Sequence, residues 1–114
     1  MPKDYAEIAN RLTAEMKEVG KAKPEVTAAF ASLGKAVYSD AALTRRTKEL
    51  IALAIAITVR CDGCVAFHAR QALQAGATRE EVVDTVGVAV QMGGGPSMVY
   101  GADALSAYDQ FAAA

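Results

Sequence analysis

The stretch LIALAIAITVRCDGCVAFHARQALQAG, Leu50 to Gly76, indicates the fold of this chain. Its first ten residues are an almost uninterrupted apolar run, bounded by Glu49 and Arg60. A membrane-spanning helix needs about 20 apolar residues, so this shorter run predicts a core helix that is buried on most sides. A second helix is predicted to start within CDGC and to end before Gly76. The two helices predict an antiparallel hairpin.

The segments before this hairpin also predict helices. Asp4 and Glu7 have the spacing of a capping box, and the helix they begin is expected to end at Gly20. Pro24 suits the first turn of a second helix, and Thr44 is the expected N-cap of the third. The predicted buried stripe of the second helix is Val26, Ala29, Phe30, Leu33 and Val37.

Two further helices are predicted after the hairpin. Thr78 and Glu81 form a second capping box, and the valines that follow repeat at helical spacing. MGGGP breaks the chain, and a sixth helix is expected from Pro96 or Ser97 to about Phe111. Its predicted inner stripe is Met98, Val99, Ala102, Leu105 and Tyr108. The sequence therefore predicts an all-α fold of about six helices.

Length and composition set the broad class of the protein. A chain of 114 residues favours one domain over residues 1–114. The net charge is -1, without a basic tail or stripe, which argues against nucleic acid or a membrane surface as a partner. Apolar residues make up 53% of the chain, and many of them are alanines. Such a composition is typical of small helical subunits that associate with copies of themselves. The first residues lack an apolar signal segment, so we expect a cytoplasmic protein.

Both cysteines and the only histidine lie close together, as Cys61-x-x-Cys64-x-x-x-His68. Two cysteines at this spacing can form a disulfide at the start of a helix, where unpaired N–H groups and the helix dipole favour a thiolate. His68 lies one turn after Cys64 on the same helical face, so its imidazole can accept the Cys64 proton directly or through a water. We therefore expect Cys64 to be the activated thiol and Cys61 its resolving partner.

Glu49 is the fourth candidate. It begins the apolar run, and an antiparallel hairpin would bring its carboxylate toward His68. A carboxylate beside an imidazole fixes the tautomer of the ring, which is its role in catalytic triads. Taken alone, each of these residues also has a structural interpretation: buried cysteines as small hydrophobes, a surface histidine, a solvated first-turn acid.

Other chemistries fit the sequence less well. Cys61, Cys64, His68 and Glu49 could bind zinc, but no second CxxC or HxxxH pair supports a metal site, and we expect none. Covalent haem needs a histidine directly after the second cysteine, where this chain has Val65. The glycines of GGGPS favour a tight turn with close helix packing over an anion site, and no bound cofactor is expected.

The pattern of Glu49, Cys61-x-x-Cys64 and His68 resembles the alkylhydroperoxidase D-like proteins of the carboxymuconolactone decarboxylase superfamily. The likeness extends from about Leu43 to Phe111 and includes AGATREE and MGGGP. It implies a compact all-α subunit that assembles into trimers or hexamers, with an active unit completed by oligomerisation. It also implies Cys64 as the attacking thiol, Cys61 as its disulfide partner, and Glu49 with His68 as a proton relay.

One position departs from this family. The founding alkylhydroperoxidases carry a second histidine just before the second cysteine, where this chain has Gly63. That difference weakens the expectation of full peroxidase efficiency.

The leading hypothesis is a thiol-dependent peroxidase that reduces organic hydroperoxides and is reset by a dithiol reductant of unknown identity. A second is a carboxymuconolactone-type decarboxylase that uses Glu49 and His68, although such members typically lack the CxxC pair. A third is a non-enzymatic, redox-sensing oligomer.

Overall fold

The computed structural model of the chain describes residues 3–114, which form six α-helices and contain no strand. The helices are, in order, α1 (Tyr5–Ala22), α2 (Pro24–Val37), α3 (Arg45–Val59), α4 (Asp62–Gln74), α5 (Arg79–Gly93) and α6 (Gly95–Ala113). The predicted all-α fold is confirmed.

The helix starts follow the local capping signals of the sequence. The Thr44 hydroxyl accepts a hydrogen bond from the N–H of Thr47 at 3.2 Å, which caps α3. At α5 the capping box is complete, because the Glu81 N–H donates to the Thr78 hydroxyl and the Thr78 N–H donates to the Glu81 carboxylate. Pro24 occupies the first turn of α2 as predicted.

Two helix boundaries differ from the prediction. Gly20 lies inside α1, which continues to Ala22 and ends because the residue before Pro24 is disfavoured in helical geometry. The break between α5 and α6 is confined to Gly94, whose φ of 75° is accessible to glycine at little cost, so α6 begins at Gly95.

The core lies around the α3–α4 hairpin. α3 packs against α4, α5 and α6, while α1 covers α4 and α6. The largest fully buried side chains are Tyr5, Leu53, Ile57, Val65 and Val82. Alanines fill most of the remaining core, and their small side chains let the helix axes approach closely.

The predicted buried stripe of α2 is wrong for the single chain. α2 buries none of its residues, and Phe30 is 75% exposed. The physical reason is topological, because among the described helices α2 packs against α1 alone. A helical apolar period identifies a face that avoids water but does not identify what covers that face.

The apolar run of α3 is also less buried than predicted. Leu53, Ala56 and Ile57 are in the core, whereas the opposite face carries an exposed stripe. That stripe consists of Ile51, Ile55 and Val59. The chain by itself therefore buries one face of this helix.

The inner face of α6 is rotated from its predicted position. Met98 and Val99 are exposed, and Tyr108 is the predicted stripe residue that the core buries. The other buried residues of α6 are Ser97, Gly101, Ala104 and Ala107. Most of the buried residues of α6 are therefore small, while the predicted stripe residue Leu105 is partly buried against the core.

A search of residues 3–114 for membrane-spanning segments finds no helix with the length and apolar character that a crossing would require.

Candidate active site

The turn between α3 and α4 sets the position of the two cysteines. Arg60 adopts a left-handed conformation with φ 58°, and its N–H donates to the carbonyl of Ile57 at 3.2 Å. The next N–H, of Cys61, donates to the carbonyl of Ala56 at 3.2 Å. These are the two hydrogen bonds of a Schellman ending, here formed without glycine. The chain thus reverses direction at Arg60, and α4 begins at Asp62 with Cys61 before it.

Cys61 is the N-cap residue of α4. Its Sγ accepts a hydrogen bond from the N–H of Cys64 at 3.2 Å. The two cysteines are joined in a disulfide with their Cα atoms 5.2 Å apart, within the range that disulfides adopt. In the reduced state the helix N-terminus would stabilise a thiolate here, because its N–H groups and dipole favour negative charge.

The hairpin brings Glu49 of α3 to His68 of α4. The Glu49 Oε1 atom lies 2.7 Å from His68 Nδ1, and Glu49 is only 2% exposed. A carboxylate accepts hydrogen bonds, so we assign the proton to Nδ1. This assignment leaves His68 Nε2 with a free lone pair.

Two aromatic rings surround the His68 imidazole. The ring of Phe67 meets it edge-on at a centroid distance of 5.1 Å, and the ring of Tyr38 lies tilted at 5.7 Å. Burial raises the pKa of Tyr38, and the nearby Glu49 charge raises it further, so the phenol is neutral at physiological pH. Tyr38 has no sequence signal as a site residue, because it lies in an irregular segment 30 residues before His68.

Gly63 is covered by α1. A Cβ atom built on Gly63 would overlap Leu12 Cδ1. The side chain of Leu12 therefore takes the space into which a residue at position 63 would project. A histidine at position 63 would therefore require the end of the Leu12 side chain to move.

The N-terminal segment also contacts the turn between the cysteines. Lys3 Nζ lies 2.9 Å from a carboxylate oxygen of Asp62 and 3.0 Å from one of Asp103 on α6. The hydrogen bond to Asp62, followed by that to Asp103, raises the pKa of the Lys3 ammonium. Sequence reasoning missed this bridge, since the partners are 59 and 100 residues away from Lys3.

The other sequence-derived site features have structural surroundings. Within residues 3–114 no group of three or more His, Cys, Asp or Glu side chains is arranged to hold a metal ion. A Cβ on Gly93 would overlap Ser97 and approach Thr58 of α3, so this glycine serves close helix packing. The four candidate residues, Glu49, Cys61, Cys64 and His68, all come from the α3–α4 hairpin and the turn within it.

Comparison with known proteins identifies relatives along almost the whole chain. The sequence model of the carboxymuconolactone decarboxylase family matches residues 24–107. An uncharacterized protein of Cupriavidus necator is 37% identical over 109 residues, which cover 96% of each chain. An uncharacterized protein from the cox locus of Paracoccus denitrificans is 34% identical over 100 residues, covering 88% of this chain and 90% of that one.

A solved structure shares the fold. The crystal structure of the apo form of a carboxymuconolactone decarboxylase family protein from Legionella pneumophila matches with a TM-score of 0.91 and 43% sequence identity. The match covers 94% of this chain and 96% of that chain.

Proposed function

The chain belongs to the carboxymuconolactone decarboxylase family, and we propose that it is a thiol-dependent peroxidase that reduces organic hydroperoxides. One observation carries the proposal. The Cys61–Cys64 disulfide lies at the start of α4, one helical turn from His68, whose Nδ1 lies 2.7 Å from buried Glu49. A redox pair beside an oriented base is the arrangement that such a reaction needs.

The first step is activation of the thiol. His68 Nε2 accepts the Cys64 proton, directly or through a water, while Nδ1–H donates to Glu49. The buried carboxylate orients the ring and stabilises the imidazolium that forms. The helix N-terminus adds a favourable field for the Cys64 thiolate.

The second step is cleavage of the peroxide. The Cys64 thiolate attacks the O–O bond, so that an S–O bond forms and the O–O bond breaks. The alkoxide leaves with the proton from His68, which yields an alcohol and a sulfenic acid on Cys64. The Cys61 thiol then attacks the sulfenic sulfur, an S–S bond forms, and water leaves.

The third step restores the dithiol. An external dithiol reduces the Cys61–Cys64 disulfide by exchange and becomes a disulfide itself. Over one cycle, one hydroperoxide and one dithiol give one alcohol, one water and one disulfide. No bound cofactor is required. We place this cycle in the cytoplasm, where thiols are kept reduced.

We also propose that the chain works as a homotrimer or homohexamer. The exposed α2 face and the α3 stripe of Ile51, Ile55 and Val59 support this, because a monomer would leave both in water. Contiguous exposed apolar patches usually mark protein interfaces.

Titration of the free thiols with cumene hydroperoxide tests the peroxidase proposal. One equivalent should remove two thiols per chain quickly, and a dithiol should restore them. Absence of thiol loss, together with turnover of a carboxylactone, would instead identify a decarboxylase that uses Glu49 and His68. Slow oxidation that alters only the size of the oligomer would indicate a redox sensor.

A further inference from the structure

Tyr38 contacts the candidate site from outside the α3–α4 hairpin. It is the C-cap residue of α2, and its ring lies beside the His68 imidazole at a centroid distance of 5.7 Å and a tilt of 41°. Glu49 is near enough for its charge to raise the pKa of the Tyr38 phenol, after the larger effect of burial. The Tyr38 ring therefore lies beside His68, and the Glu49 carboxylate paired with His68 is close enough for its charge to act on the phenol.

Lys48 holds the backbone on both sides of Tyr38. Its Nζ donates to the carbonyl of Val37 at 2.8 Å and to the carbonyl of Ser39 at 2.7 Å. Lys48 directly precedes Glu49 on α3, so the same turn of helix supplies the carboxylate and the anchor. The hydrogen bond to Val37 links α3 to the end of α2, a helix that otherwise packs against α1 among the described helices.

The same loop is fixed at its other end. The Asp40 carboxylate accepts a hydrogen bond from the N–H of Arg45 at 2.6 Å, at the first turn of α3. Arg45 in turn donates to Gln71 of α4 at 2.6 Å. The backbone around Tyr38 is thus tied to the hairpin at both ends, which limits the freedom of the ring.

We propose that Tyr38 is a positioning residue for His68: its ring, anchored through Lys48, holds the imidazole in the orientation that keeps Nδ1 on Glu49. The inference rests on the proposed function only for its kinetic consequence. A rigid neighbour limits ring rotation, and a small loss of alignment in a proton-transfer group slows the reaction. The ring carries this role through packing, so the hydroxyl is dispensable.

Nitrogen-15 NMR of the imidazole tests the proposal without reference to any activity. The chain contains one histidine, so its two ring nitrogens give a single pair of signals. The wild type should show the tautomer with the proton on Nδ1. Tyr38→Phe should retain these signals, whereas Tyr38→Ala should move them toward the average of the two tautomers.

Lys48 provides the second variant, because its removal leaves the Tyr38 ring in the chain. Lys48→Met should move the His68 signals in the same direction as Tyr38→Ala, and Lys48→Arg should restore them. Lys17→Met, at an exposed position of α1, is the matched control. Circular dichroism shows which variants are folded and can be compared.

The kinetic readout is the rate of thiol loss with cumene hydroperoxide. We expect a decrease of about tenfold in Tyr38→Ala and in Lys48→Met, and wild-type rates in Tyr38→Phe. Unchanged His68 signals and rates in folded Tyr38→Ala and Lys48→Met would overturn the proposal. So would a loss in Tyr38→Phe equal to that in Tyr38→Ala, because the hydroxyl would then be the active group.

The peroxidase function and the positioning role of Tyr38 can be refuted independently of each other. A wild-type protein whose thiols do not react with peroxide would refute the peroxidase function. In that event the NMR signals of the same variants would still decide whether Tyr38 and Lys48 position His68.

Discussion

Glu49 is the residue whose environment is most unusual for its type. It is a buried carboxylic acid, and its Oε1 atom lies 2.7 Å from His68 Nδ1. Charged side chains are rarely buried unless they are paired, since desolvation is costly. It is paired with the one histidine of the chain, which lies one helical turn after the disulfide, and we therefore include this acid in the proposed redox site.

Replacing Glu49 by Gln should therefore impair the reaction while preserving the fold. The amide fits the same space and can accept the His68 hydrogen bond, but it cannot stabilise an imidazolium. We expect the rate of thiol loss with cumene hydroperoxide to fall about tenfold or more. Glu25→Gln, at an exposed position of α2, is the control and should react like the wild type. A wild-type rate in Glu49→Gln would remove Glu49 from the relay.

Gly63 offers a test of the contact between α1 and the redox turn. Gly63→His should reduce the free energy of unfolding by about 1–3 kcal/mol, because the new side chain must displace Leu12. In the Leu12→Ala background the same substitution should lower the free energy of unfolding by less, since the space beside Gly63 is already open. A double-mutant cycle by urea denaturation measures this coupling. Equal costs in both backgrounds would show that Leu12 does not limit position 63.

Among the elements, α5 and α6 pack closely at Gly101. A Cβ there would contact Val86 of α5, although alanine is the better helix former. Gly101→Ala should therefore destabilise the protein by about 1–3 kcal/mol.

Gly87→Ala, in α5 with open space around the new methyl group, should stabilise the protein by about 0.5–1 kcal/mol. Urea denaturation measures both, and a stabilising Gly101→Ala would contradict the close crossing.

The elements also show which features a sequence can predict. The caps at Thr44 and Thr78 depend on residues three positions away, and both were predicted correctly. The Glu49–His68 contact followed from the reversal of the chain between two adjacent helices. The caps depend on neighbouring residues, and the Glu49–His68 contact depends on two helices that are adjacent in the chain.

Other features depend on packing between distant segments, which a single sequence does not reveal. The core side of α6 consists mostly of small residues, with Gly101 against Val86 of α5, while Met98 and Val99 face outward. Tyr38 lies beside His68 although 30 residues separate them, and Lys48 of α3 binds the carbonyls on either side of Tyr38. Neither arrangement has a periodic signature along the chain.

On the scale of the whole molecule, the exposed apolar surface is the main unexplained feature of the single chain. Phe30 on α2 and Ile55 on α3 are exposed although they belong to regular apolar stripes. A second copy of the chain would bury such faces and gain hydrophobic free energy in proportion to the area covered.

We expect the wild type to elute in light-scattering chromatography at a multiple of its 11.9 kDa chain mass. Phe30→Ser and Ile55→Ser should each shift the population toward smaller species, because they place a hydroxyl in the proposed interface. Lys17→Ser, on an exposed part of α1, is the control and should leave the mass unchanged. A wild type that elutes at the mass of one chain would contradict self-association.

The most direct test of the central claim is to trap the sulfenic acid on a single cysteine. Cys61→Ser leaves Cys64 without a resolving partner, so one equivalent of cumene hydroperoxide followed by dimedone should give one adduct on Cys64, located by peptide mass spectrometry. Cys64→Ser should give little or no adduct under the same conditions. An adduct on Cys61 in Cys64→Ser, with none on Cys64 in Cys61→Ser, would reverse the assigned roles, and no adduct in either variant would contradict the peroxidase reaction itself.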